Sequence, residues 1–183
     1  MSPHRRSRLI TVGVAATVLG VVGAAVRGSA AGTLPKDPCA LLTPADLQPV
    51  AASATIGKGV TDGSGLPLGV GCTYNWGPRT SEWGQTSLTV TVIDASKAWV
   101  GVSPEMIKQG VAAKAMTGGP NASAIAGVGD AAAFTFEARS SNATAEAFVQ
   151  AKDLHVAVVF HSGNSLASKD KLVGLLKLAA GRL

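Results

Sequence analysis

Cys39 and Cys72 are the only cysteines in a chain of 183 residues, and both lie downstream of a segment that reads as an export leader. An even pair in an exported chain is by default a disulfide. In the chain-entropy picture a bridge across that spacing restricts the unfolded chain by about 3.7 kcal/mol, less any strain in the native state. The rivals are two free buried thiols, a redox site, or half of a metal site. Catalytic dithiols usually sit as C-x-x-C, and zinc needs more ligands at closer spacing. A disulfide is therefore the expectation, and it staples the first third of the mature chain.

The leader itself is His4-Arg5-Arg6-Ser7-Arg8, an uncharged stretch over residues 9–26, then Arg27-Gly28-Ser29-Ala30-Ala31. A basic start, an apolar run and small residues before a cut after Ala31 make a secretory signal. The apolar stretch is long enough to span a bilayer, so an uncleaved anchor is the alternative. Arg5-Arg6 matches the start of a twin-arginine signal, but Arg8 stands where that signal usually carries a large apolar residue. Cys39 does not read as a lipid-modified cysteine, because Lys36-Asp37-Pro38 precede it. The reading divides the chain into a signal over residues 1–31 and one domain over 32–183, placed outside the cytoplasm: secreted or in the cell envelope.

The formal charge is +5, but Arg5, Arg6, Arg8 and Arg27 all belong to the leader, which has no acid. The remainder carries 12 basic and 11 acidic residues. A nucleic-acid partner loses its main support. Membrane contact is expected only through an uncleaved leader.

Local signals order the mature chain. Leu42-Thr43-Pro44-Ala45-Asp46-Leu47 carries an N-cap, a proline at N1 and an acid able to return a bond to the cap. Leu42 and Leu47 can form a hydrophobic staple. Pro49 is expected to shorten or kink that helix. Residues 51–70 read as small and Gly-rich, with Asp62-Gly63-Ser64-Gly65 at the turn centre. Residues 70–76 form a strand with Cys72, Tyr74 and Trp76 on one face. Residues 85–94 alternate Leu88, Val90 and Val92 with polar neighbours, as the hairpin partner. Ser103-Pro104-Glu105 starts a helix to about Met116. Strands follow over 131–137, 145–151 and 154–161, the last two as a hairpin turning at Lys152-Asp153. A C-terminal helix from Ser165 or Ser168 presents Leu172, Leu175, Leu176, Ala179 and Leu183 as one stripe. The expected class is α+β: an antiparallel sheet with helices packed on one face, in a single domain after an N-terminal signal. The order strand-strand-helix occurs twice.

Catalytic chemistry finds little to build from. Outside the leader only His155 and His161 remain, on one face of one strand and about 20 Å apart, so they cannot share a metal. No metal or other cofactor is expected. There is no G-x-S-x-G elbow, and Ser64 between glycines reads as a flexible loop. Asp94, Asp130 and Glu137 are candidates for paired-carboxylate chemistry only because they fall near strand ends. Gly127-Val128-Gly129-Asp130-Ala131-Ala132 matches a dinucleotide fingerprint in letters, but a loop precedes it and a strand follows, so it reads as a tight turn. Asn121-Ala122-Ser123 and Asn142-Ala143-Thr144 are acceptor sequons, both read as loops. No catalytic residue is assigned.

Trp76, Trp83 and Trp99 stand out in a chain with 4% aromatic residues. Trp76 is expected to pack on the disulfide. Trp83, in a polar loop, and Trp99 are the candidate recognition residues.

Asp37-Pro38-Cys39-Ala40-Leu41-Leu42-Thr43-Pro44, then Cys72-Thr73-Tyr74-Asn75-Trp76, then Gly127-Val128-Gly129-Asp130-Ala131 form an ordered set. The set resembles the actinobacterial domain-of-unknown-function 3558 family of exported proteins and lipoproteins, over roughly residues 36–180. The resemblance implies an envelope-exposed α+β domain with Cys39 and Cys72 paired, and implies no catalytic residues. This chain departs from it in lacking a lipobox and in the Pro49 that shortens the first helix. The function expected is a non-enzymatic envelope or secreted domain that binds a small ligand, a glycan or an envelope protein. The alternatives are an extracellular hydrolase with a carboxylate-based site, or a structural adaptor.

Overall fold

The alternation Leu88-Val90-Val92 marks the middle of the molecule. All three side chains are fully buried, as are their neighbours across the ladder, Val156 and Val158. The structure, a computed structural model, describes residues 32–52, 54–62, 69–80, 84–97, 100–162 and 168–183. Its described strands are β1 (Val60–Asp62), β2 (Gly69–Thr80), β3 (Gly84–Asp94), β4 (Ser123–Ala124), β5 (Ala131–Glu137), β6 (Asn142–Val149) and β7 (Leu154–His161). They form one antiparallel sheet in the order β1-β2-β3-β7-β6-β5-β4. Hairpins explain most of that order, since neighbours in sequence pair most readily. The exception is β3 against β7, a long-range pairing that joins the two halves. Both edges end in very short strands, which leave little ladder for a foreign strand to extend.

Three described helices complete the α+β architecture expected from the sequence: α1 (Pro44–Ala51), α2 (Pro104–Thr117) and α3 (Lys169–Gly181). Against the core face stand Cys72, Tyr74, Leu88, Val90, Val156, Phe160 and the buried stripe Leu172, Leu175, Leu176 and Ala179 of α3. Leu42 and Leu47 join them, both fully buried, as the hydrophobic staple requires. Thus α1 and α3 share one face. The second face receives α2, whose Val111 is buried and whose Lys114 reaches Glu146 of β6. Helices therefore lie on both sides, because the chain leaving β3 crosses to β4 and β5 on the far side.

Cys39 and Cys72 are bonded, with Cα atoms 5.1 Å apart. The bridge ties the short 3-10 turn Pro38–Ala40 to β2. Beside it the Tyr74 hydroxyl donates toward the Cys39 carbonyl at 2.9 Å and the Leu42 carbonyl. Trp76 does not find its ring partner at the disulfide. It stacks on Phe160 with centroids 5.8 Å apart, because two strands away the same face presents an aromatic ring.

Three local expectations change. Pro49 lies inside α1, which runs two residues past it to Ala51 before Ala52 turns to φ 55°. The region read as a Gly-rich turn contributes β1, paired to β2 from Val60↔Thr73 to Asp62↔Gly71. The strand read as 145–151 starts at Asn142, so the second sequon lies in β6 and not in a loop.

The start of α1 is as the sequence implies. The Thr43 hydroxyl accepts from the Asp46 backbone N–H at 3.4 Å, and the Thr43 N–H donates to the Asp46 carboxylate at 2.7 Å. Arg182, at the end of α3, places Nη1 2.6 Å from the same carboxylate and donates to the Leu41 carbonyl at 2.8 Å. Thr43→Ala is expected to destabilise the domain by about 1 kcal/mol, the usual worth of an N-cap. Urea unfolding at neutral pH measures this, and an unchanged midpoint would deny the cap any role.

Candidate functional site

Trp83 and Trp99, the recognition candidates, lie outside the described residues, as do the leader and Ser64. The remaining residues singled out in the sequence do not converge. Asp94 is buried at the end of β3, where it accepts from Ser96 and pairs with Lys97 at 2.8 Å. Glu137 accepts from the Ser140 hydroxyl at 2.6 Å at the opposite end of the sheet. Asp130 follows a turn in which Gly127 and Gly129 take φ 73° and 55°, the torsions expected of that motif. A Cβ at Gly129 would collide with the Phe148 carbonyl oxygen, so glycine there serves a close backbone approach. Asn142 Oδ1 lies 2.8 Å from His161 Nδ1, so this sequon asparagine is engaged in the sheet. Asn121 is exposed in the turn after α2.

The cluster that sequence reasoning missed is centred on Glu146. Its side chain is 2% exposed, yet it stands on β6 between Ala133 of β5 and Ala157 of β7. His155 Nε2 lies 2.8 Å from Oε2, and Lys114 Nζ lies 2.9 Å from Oε2 and 2.7 Å from Oε1. Oε1 receives only the charge of Lys114, without an aligned hydrogen bond. Burial pushes this carboxyl up, but the bonds from His155 and Lys114 outweigh it and hold the group below the usual carboxylate range. No sequence signal marks it, since Glu146 follows an alanine alternation and its cations are nine and 32 positions away.

The other displaced carboxylates behave alike. The hydrogen bond from Arg182 holds Asp46 far below its ordinary value despite partial burial. Burial raises Asp94, but the bonds from Lys97 and Ser96 bring it down further. All three are anions with assigned cations, the reverse of the raised pKa that a carboxylate acid requires. Among the described residues no group of three or more His, Cys, Asp or Glu is placed to hold a metal ion.

A different feature occupies the rest of the second face. With α2 packed over β4, β5 and β6, the β2-β3-β7 portion has no described helix upon it. Register aligns its outward residues in rows across the strands. One row runs Thr73, Thr89 and Val159, the next Asn75, Ser87 and His161, and a third Gly71, Thr91 and Ala157. Asn75 is exposed, and Thr73, Ser87, Thr89, Thr91, Val159 and His161 are half-buried. The Thr73 and Thr89 hydroxyls bond to one another at 2.9 Å. With the Asn142 oxygen as acceptor, His161 Nδ1 carries the proton of their bond, which orients the ring. Within β2, β3 and β7 these rows carry no Lys, Arg, Asp or Glu, but the third continues to Asp62 of β1 on one side and to Glu146 of β6 on the other.

Comparison of the chain with protein-family models, with curated proteins and with solved structures finds no match. Nothing in these comparisons supports the resemblance to the domain-of-unknown-function 3558 family.

Proposed function

We propose that this protein is a non-catalytic domain acting outside the cytoplasm, in the envelope or the medium, where it binds a ligand or partner. The observation that carries this reading is the pairing of its buried or displaced carboxylates. Asp46, Asp94 and Glu146 are each bound to a cation that ties one element to another or closes a turn. Such groups serve the fold, and a carboxylate-based hydrolase would need one of them protonated and facing a cleft. The Cys39–Cys72 bridge supports an oxidising compartment. Among the described residues no helix is long and apolar enough to cross a membrane. Export itself rests on the leader.

The test is native mass spectrometry of the full chain expressed and purified from its own host. A mass increment that survives native conditions and leaves on denaturation is the expected result, and it identifies the ligand class. Turnover of ester, glycoside or peptide substrates by the same preparation, lost in Glu146→Gln at unchanged fold, would overturn the reading. The denatured spectrum also reports whether the chain begins at Gly32 and lacks two protons for the bridge.

A further inference from the structure

We infer that α2 is a hinged lid over the β4-β5-β6 part of the sheet, latched by Lys114 on Glu146 and able to open while the rest of the fold stays closed. The inference concerns a motion of the fold and does not depend on the binding reading. The two long helices are docked on different terms. α3 buries Leu172, Leu175, Leu176 and Ala179 in the main core. Of the 14 residues of α2 only Val111 is buried, and it lies outside that core. Met106 and Met116 are 55% and 82% exposed and add little to the docking of α2. Docking strength follows the apolar area removed from water, so α2 is held less firmly than α3.

The latch is polar. Lys114 Nζ lies 2.7 Å and 2.9 Å from the two oxygens of Glu146, while Gln109 and Thr117 turn their bonds back onto the helix itself. Closing the lid takes the Glu146 carboxylate out of water, and that desolvation opposes the attraction of Lys114 and His155. Opening returns the carboxylate to water, and Lys114, already 52% exposed when closed, loses little. The ion pair thus fixes where the closed lid sits more than it holds the lid shut. Both ends of the lid carry a glycine in the left-handed region, Gly101 at φ 81° and Gly119 at φ 90°. A Cβ at either would meet nothing within 4 Å, so torsion and not packing calls for glycine at these pivots. Between them the helix brings its own cap, the Ser103 hydroxyl accepting from the Met106 N–H at 3.2 Å, so the segment moves as a unit. What opening uncovers is the Glu146–His155 pair, 2.8 Å apart on the sheet.

The experiment is native-state hydrogen exchange of the full chain, read by mass spectrometry on peptides from α2 and α3. A detached helix of this length is marginal in water, so α2 amides exchange whenever the lid is open. Relative to their intrinsic rates they are expected to exchange at least tenfold faster than those of α3. Low urea should leave α2 nearly unaffected, because a lid exposes little surface, while α3 follows global unfolding and its steeper dependence. Two variants separate the motions. Leu176→Ala weakens a contact present whether the lid is open or closed, so it should speed α3 at least tenfold and leave α2 unchanged. Lys114→Met removes the latch from the closed state alone and should speed α2 at least tenfold. Equal acceleration of both helices by Leu176→Ala, or an α2 rate unmoved by Lys114→Met, would overturn the lid. Should Leu176→Ala not fold, the wild-type urea series decides: α2 and α3 exchanging at one rate with one urea dependence would make them a single cooperative unit and overturn the lid as well.

Discussion

Replacing Cys39 and Cys72 by serine, or reducing the bond between them, is expected to cost about 3.7 kcal/mol of stability, the chain-entropy worth of a loop of this length. Domains of this size are stable by only about 5–15 kcal/mol, so the loss removes a large share of what holds the fold. Geometry adds to the entropy term. Cys72 is fully buried, and the bridge anchors the turn at Pro38–Ala40 whose Cys39 carbonyl accepts the Tyr74 hydroxyl. Urea unfolding with and without a phosphine reductant measures the effect. Coincident midpoints, with reduction verified by mass, would mean that the hydrophobic contacts of Leu42, Leu47 and Tyr74 hold the N-terminal segment unaided.

The second large effect lies at Glu146, and it is asymmetric. Lys114→Met is expected to cost about 3 kcal/mol, because it leaves a carboxylate in a nearly dry site with His155 as its remaining partner. Glu146→Gln should cost less, about 1–2 kcal/mol, since the stranded cations can relax. The Lys114 side chain is 52% exposed and can turn to water. A Glu146→Gln penalty equal to or larger than that of Lys114→Met would reject this account of the cluster. Replacing all three members by apolar residues of matching volume should restore stability or raise it, as for other buried ion pairs.

The same carboxylates govern acid sensitivity. Glu146, Asp94 and Asp46 all have folded values below their ordinary ones. Each therefore contributes stability that is complete above the ordinary carboxylate range and is lost as pH falls through the lower folded value. Acid should thus loosen α2 from β6, through Glu146, and free Arg182 from α1, through Asp46.

What could be read from the chain alone were features set by near neighbours. The cap at Thr43, the proline at N1, the alternation of Leu88 with Val92 and the stripe from Leu172 to Ala179 each depend on residues within a few positions. Their energetics are local, so α1, α2, α3 and most strand cores were legible. The cysteine pairing was legible for a similar reason, because parity is a property of the chain itself. Pro49 marks the limit of that reasoning: α1 carries it inside and ends two residues later, at Ala51.

Tertiary structure alone decided which elements became neighbours and which polar groups became partners. The β3–β7 pairing joins residues such as Val90 and Val158 that no local signal relates. It also sets the rows in which Thr89 lies beside Thr73 and Ser87 beside His161. Glu146 occupies an alanine-rich strand where alternation separates the two faces but does not tell which face a helix will cover. Only the arrival of α2 buries it and brings Lys114, 32 positions away, to 2.9 Å. Secondary structure follows from torsions and periodicity along the chain; the candidate site follows from register and layer order, which the whole sheet settles by burying its apolar face against α1 and α3.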